Sequence, residues 1–153
     1  MYDHFTDRAR IVMRLANQEA ERGGREYIGP EHLLLGLLDS RSGIAAHFVE
    51  TLGGGACRLR GTIEKFEKLM SHGPDAIPST PRAKKVIERS IEEARNLNHD
   101  RVGTQHVLLA ILHEPNEPIA SAFATLGLDA RLIREHILLA IRSKASDDAP
   151  LAQ

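Results

Sequence analysis

Residues 6–22 read TDRARIVMRLANQEAER, and residues 80–96 read TPRAKKVIERSIEEARN. Laid over each other at a constant offset of 74, they share Thr6/Thr80, Arg8/Arg82, Ala9/Ala83 and Glu19/Glu93. The register runs without a gap over residues 6–67 and 80–141, where 18 of 62 pairs are identical. A duplication at a fixed period dictates two similar units before any propensity argument begins. In the second stretch Thr80 can cap a helix and Pro81 suits its first position. Behind them Ala83, Val86, Ile87, Ser90, Ile91, Ala94 and Leu97 recur at helical spacing. In the first stretch Thr6 is the cap, with Ala9, Val12, Ala16 and Ala20 inward, and Gly23–Gly24 stops the helix. Such small inward residues predict close helix contact.

Outward from these stretches, the pattern repeats. A helix starting at Pro30 carries Leu33–Leu35 and Leu37–Leu38, and its counterpart starting at Thr104 carries Val107–Leu109 and Ile111–Leu112. Both are apolar nearly all round, which puts them at the centre of the fold. Short helices near 44–52 and 118–126 each end at a Leu-Gly pair, Leu52–Gly53 and Leu126–Gly127. A fourth pair covers about 55–70 and 129–144, with Leu59/Ile133, Ile63/Ile137 and Phe66/Ala140 in register. No stretch alternates at period two for long enough to make a strand. The expected fold is all-α: two four-helix repeats forming an eight-helix, pseudo-twofold domain over residues 3–143. Repeat one is 5–70, repeat two is 79–143, residues 71–78 are a breaker-rich linker, and 144–153 form a disordered tail.

Composition narrows the function. With 20 basic and 21 acidic residues the chain has no excess positive charge for a nucleic-acid backbone. Cys57 is the lone cysteine, so no internal disulfide forms, and it reads as a partly buried small apolar residue. No apolar run approaches the roughly 20 residues of a membrane span, and the N-terminus lacks a secretory signal, so a cytoplasmic location is expected. No lysine follows a glycine as a P-loop requires, no serine has the flanks of a nucleophile elbow, and no His-Glu-x-x-His is present. His99, His106 and His113 are seven apart. On one helix that is a rise of about 10 Å, too far to share a metal. His32 and His106, at duplicated positions in the first turn of an apolar helix, read as packing residues. Neither an enzyme nor a cofactor site is expected.

Two features remain. One is the helix start Gly29-Pro30-Glu31-His32 with its counterpart Gly103-Thr104-Gln105-His106; the other is the pair of caps Thr6 and Thr80. Helix N-termini present N–H groups and partial positive charge to an anion, and a carboxylate in the same turn can hold a cation. Together they suit a group that carries both charges. The same residues also fit ordinary roles: Glu31 as a first-turn acid on the helix dipole, the threonines as caps worth ~1 kcal/mol each.

Four motifs carry a resemblance. They are Phe5-Thr-Asp-Arg-Ala, Tyr27-Ile-Gly-Pro-Glu-His-Leu-Leu-Leu-Gly-Leu-Leu, Ser79-Thr-Pro-Arg-Ala-Lys-Lys-Val-Ile-Glu and Val102-Gly-Thr-Gln-His-Val-Leu-Leu-Ala-Ile-Leu. In order and spacing they resemble the double Clp-N (Clp R) motif, the N-terminal domain of Clp/Hsp100 unfoldases, with the ClpC type most similar. The resemblance implies a docking platform for substrates and adaptor proteins in a Clp ATPase–protease system, and ClpC-type domains also read phosphorylated arginine as a degradation mark. It carries over a site near each cap threonine and each helix start: Thr6 and Glu31 in repeat one, Thr80, Thr104 and Gln105 in repeat two. Partners implied are Clp ATPase and protease subunits, adaptors, and arginine-phosphorylated substrates.

Two departures stand out. Gln105 replaces the family's glutamate, and Pro30 replaces a threonine, deleting a hydroxyl and a backbone donor. Site one keeps its acid and loses donors; site two keeps donors and loses its acid. The alternative is a stand-alone Clp-N regulator or scaffold that binds Clp subunits without reading a peptide mark. The 153-residue length favours the stand-alone form.

Overall fold

A computed structural model describes residues 4–22, 28–40, 56–70, 80–113 and 117–142. Seven helices lie in them: α1 (Asp7–Arg22), α2 (Pro30–Ser40), α3 (Ala56–Met70), α4 (Thr80–Asn96), α5 (Thr104–His113), α6 (Glu117–Leu126) and α7 (Ala130–Arg142). The all-α expectation holds. The expected helix near 44–52, the linker 71–78 and the tail 144–153 lie outside the described residues.

The centre is where the hydropathy put it. Every residue of α2 from Pro30 to Leu38 is buried, and so is every residue of α5 from Thr104 to Leu112. The amphipathic helices cover them: α1 lies on α2, and α4 lies on α5. The α1–α2 contact is close because of the small residues. A Cβ on Gly36 would stand 2.7 Å from the Val12 carbonyl oxygen and 3.1 Å from the Ala16 nitrogen, so only glycine fits against that backbone. The two units interlock as well as abut: α3 packs on α6, α2 meets α5, and α7 lies along α5. Leu59, Ile63, Ile133 and Ile137, the matched apolar positions, all belong to one buried cluster. Burial of each such side chain contributes roughly 1.5–3 kcal/mol.

One contact ties the chain's start to the second unit. Phe5 forms an isolated parallel bridge with Val102. The Val102 N–H donates to the His4 carbonyl at 2.8 Å, and the Thr6 N–H donates to the Val102 carbonyl at 2.8 Å. Phe5 is buried there among Ala9, Ile87, Ala94 and Val102.

Cys57 departs from expectation. It is exposed, not partly buried. Two residues before Leu59, it falls on the opposite side of the helix from the buried stripe of Leu59 and Ile63.

Candidate ligand site

The two helix starts are built alike. In each, glycine is the last residue before the helix and histidine the third within it. The Gly29 carbonyl accepts from the His32 N–H at 3.0 Å, while the Gly29 N–H donates to His32 Nδ1 at 2.9 Å. The Gly103 carbonyl accepts from the His106 N–H at 3.1 Å, while the Gly103 N–H donates to His106 Nδ1 at 2.8 Å. This is the reciprocal logic of a capping box with an imidazole as the side-chain acceptor. Both histidines are buried, as packing residues should be. Their capping role was missed, although the duplicated Gly-x-x-His spacing was the signal for it.

Each histidine holds its helix start in one shape and leaves the second helical residue to define the turn's chemistry. In repeat one that residue is Glu31. Its carboxylate is buried over Gly29, so close that a Cβ there would stand 2.6 Å from Oε1. Glu31 Oε1 is 4.0 Å from His32 Nδ1, which already accepts the Gly29 amide, so the two form no charged hydrogen bond. In repeat two the residue is Gln105, 4% exposed, and its Oε1 has no hydrogen-bond partner among the described residues. Thr104 is fully buried at the first position of α5.

Thr6 caps α1 as expected, its Oγ1 accepting from the Ala9 N–H at 3.2 Å. It also has a neighbour in the other repeat. The Thr6–Val102 bond sets it beside the loop that enters α5, three residues before Gln105. That loop leads into the turn of Thr104 and Gln105, in the other repeat. The α1 and α5 N-termini stand side by side, and Arg101 reinforces the junction by donating to the Phe5 carbonyl at 3.3 Å. The Thr80 side chain lies outside the described residues.

The histidine spacing is also corrected. His99 Nδ1 and His106 Nε2 are 2.8 Å apart, because α4 ends at Asn96 and residues 97–103 turn back instead of continuing one helix. No group of three or more metal-ligating side chains occurs among the described residues.

Charge clusters brace the units from behind. Arg60 donates to Glu19 at 2.7 Å and to the Leu35 carbonyl at 3.3 Å, and it also binds Asp39. Arg134 repeats the pattern in the second unit, with Glu93 at 2.9 Å and the Leu109 carbonyl at 3.1 Å. Each glutamate has a second cation, Arg22 on Glu19 at 3.4 Å and Arg89 on Glu93 at 3.3 Å, and His113 stands where Asp39 stands in the first unit. Burial pushes the Glu19 carboxyl up, but hydrogen bonds from Arg60 and Asp39 and the charges of Arg60 and Arg22 outweigh it and hold the pKa at about 2. Asp39 goes the other way: burial and its hydrogen bond to Glu19 raise it, and Arg60 only partly opposes them.

A paired, glycine-led helix start repeated across an interlocked all-α architecture has a counterpart among known proteins. The family model of the Clp repeat (R) N-terminal domain matches residues 4–126. This chain belongs to that family. It is 41% identical over 138 residues to the negative regulator of genetic competence ClpC/MecB of Bacillus subtilis, covering 90% of this chain and 17% of that protein. It is 38% identical over 146 residues to the chaperone protein ClpB of Oceanobacillus iheyensis, covering 95% of this chain and 18% of that protein. The chain thus spans less than a fifth of the curated relatives it matches. In fold it is similar to the N-terminal domain of ClpD from Arabidopsis thaliana, with a TM-score of 0.71 at 17% identity, covering 92% of this chain and 99% of that one. The Hsp104 N-terminal domain from Candida albicans superposes with a TM-score of 0.75 at 19% identity, covering 95% and 96%. The Clp repeat domain described here has no helix long and apolar enough to cross a membrane among its described residues.

Proposed function

We propose that this Clp repeat domain is a non-catalytic docking module of a Clp unfoldase–protease system, and that its helix starts recognise phosphoarginine on substrate proteins. One observation carries the reading. Gln105 Oε1 is a buried acceptor without a partner among the described residues, in a helix turn set beside the Thr6-capped start of α1. A buried polar atom left unpaired costs about 1–3 kcal/mol, which a ligand donor would recover. A guanidinium supplies such a donor, and a phosphate suits the N–H groups of the first helical turns. Glu31 offers the charged version of the same acceptor in the other repeat. Adaptors and Clp ATPase or protease subunits are the partners of this reading, and the cytoplasm is its location.

The test is calorimetric titration with phosphoarginine and with a phosphoarginine peptide. Saturable binding that weakens in Glu31→Ala or Gln105→Ala supports the reading; no heat at millimolar ligand removes it.

A second reading, a scaffold that binds Clp subunits without reading a mark, is favoured by α7. Leu132 and Leu139, one face of that helix, are 53% and 58% exposed. A pull-down of Clp subunits that phosphoarginine does not compete, but Leu132→Lys/Leu139→Lys abolishes, would select the scaffold.

A further inference from the structure

The turn carrying Gln105 is held by a directional chain of hydrogen bonds. It begins at a backbone amide. The Gly103 N–H can only donate, so His106 Nδ1, 2.8 Å away, accepts and carries no proton. The neutral ring then has its proton on Nε2. His106 Nε2 lies 2.8 Å from His99 Nδ1 and donates to it, which leaves His99 with its own proton on Nε2. The rings meet edge to face, with centroids 5.0 Å apart and planes at 65°.

His99 is delivered by the end of α4. Asn98 takes a left-handed φ of 60°, its N–H donates to the Arg95 carbonyl at 3.0 Å, and the His99 N–H donates to the Ala94 carbonyl at 2.8 Å. That closure turns the chain back and brings the His99 ring to α5. In repeat one, His32 accepts the Gly29 amide in the same way, but the position equivalent to His99 is Arg25. The repeat that has lost its acid is thus the one with an added histidine behind its helix start.

We propose that His99 is the positioning residue of the second-repeat site: by accepting from His106 Nε2 it locks the His106 tautomer, and through the Gly103 amide it fixes the turn that presents Thr104 and Gln105. Its role in ligand recognition rests on the reading of that turn as a phosphoarginine site.

The experiment compares wild-type protein with His99→Phe, which keeps an aromatic ring and removes the acceptor, and His99→Gln, which restores one. Nitrogen-detected imidazole NMR of the wild type is expected to show His106 protonated at Nε2 alone. In His99→Phe the Gly103 amide exchanges about fivefold faster, the worth of one net hydrogen bond, and phosphoarginine affinity at the second site falls by a similar factor. His99→Gln recovers both. Helicity by circular dichroism stays at the wild-type level in both variants. A wild-type His106 protonated at Nδ1, or unchanged Gly103 exchange in His99→Phe, overturns the proposal. Should the wild type bind no phosphoarginine, the site reading fails by itself, and the tautomer and exchange data still decide the role of His99.

Discussion

Arg60 and Glu19, 41 positions apart, meet at 2.7 Å with the Glu19 side chain 4% exposed and that of Arg60 21% exposed. The bond joins α3 to α1 across the edge of α2. Removing one partner of such a pair strands the other charge in a desolvated place, at a cost of about 3 kcal/mol. Arg60→Met should lower the free energy of urea unfolding by about that amount, and Arg60→Met/Glu19→Gln should regain a good part of it. Arg134→Met should cost less, because the cation left on Glu93, Arg89 at 3.3 Å, is 33% exposed, whereas the one left on Glu19, Arg22 at 3.4 Å, is 68% exposed and more screened by solvent. Equal losses in the two single arginine variants would contradict this account.

The same cluster sets an acid response. Glu19 is held at about 2, below its ordinary 4.5. Its contribution is therefore complete above 4.5 and disappears as the pH falls toward 2. Asp39 is raised above 3.8, so it has the opposite sign: it favours the fold when protonated and opposes it once ionised. Asp39→Asn should accordingly raise the urea midpoint at about pH 7, and its advantage should shrink as the wild type is acidified toward 3.8. Urea titrations at several pH values read both effects. A destabilised Asp39→Asn at neutral pH would mean that its bond to Arg60 outweighs the crowding with Glu19.

Gly36 faces the α1 backbone, where a Cβ would stand 2.7 Å from the Val12 carbonyl oxygen. Backbone cannot swing aside as a side chain can, so Gly36→Ala should cost about 2 kcal/mol by overpacking. The equivalent position in repeat two is Ala110, buried without difficulty. There the change in the other direction, Ala110→Gly, should cost about 1 kcal/mol through helix propensity, plus the loss of a buried methyl. Thermal melts of the two variants test whether the repeats differ in helix spacing as the geometry requires.

What could be read from the sequence followed from local periodicity. The Thr6 cap, the start of α2 at Pro30 and the start of α5 at Thr104 are decided within a few residues, and the matched apolar positions name the core. Reading each repeat as its own site groups Thr6 with Glu31, and the sequence holds no signal of the link to the other repeat. The Thr6–Val102 bond crosses the repeats beside an isolated bridge, far too short to leave a period-two signature. The Arg60–Glu19 bond is equally non-local, yet it left a trace: Glu19/Glu93 and Arg60/Arg134 are charged residues identical at the repeat offset. The contact between His99 and His106 escaped because the spacing of seven was measured along one helix, while a left-handed Asn98 breaks that helix.

The crossing of the repeats makes a sharp prediction about ligand binding. Gln105 presents a neutral acceptor, whereas a carboxylate in its place would face a guanidinium as a charged one. The difference between a neutral and a charge-assisted hydrogen bond is about 1.4 kcal/mol, or tenfold in affinity. Gln105→Glu should therefore tighten phosphoarginine binding about tenfold, with its carboxylate also favoured by the α5 N-terminus. Thr6→Ala should weaken binding, and melts must accompany it because it also removes a cap worth about 1 kcal/mol. If Thr6 serves the turn of Gln105, the effects of Thr6→Ala and Gln105→Glu on affinity should couple, while those of Thr6→Ala and Glu31→Gln should add. Coupling of Thr6 with Glu31 instead would return the threonine to its own repeat and undo the crossed site.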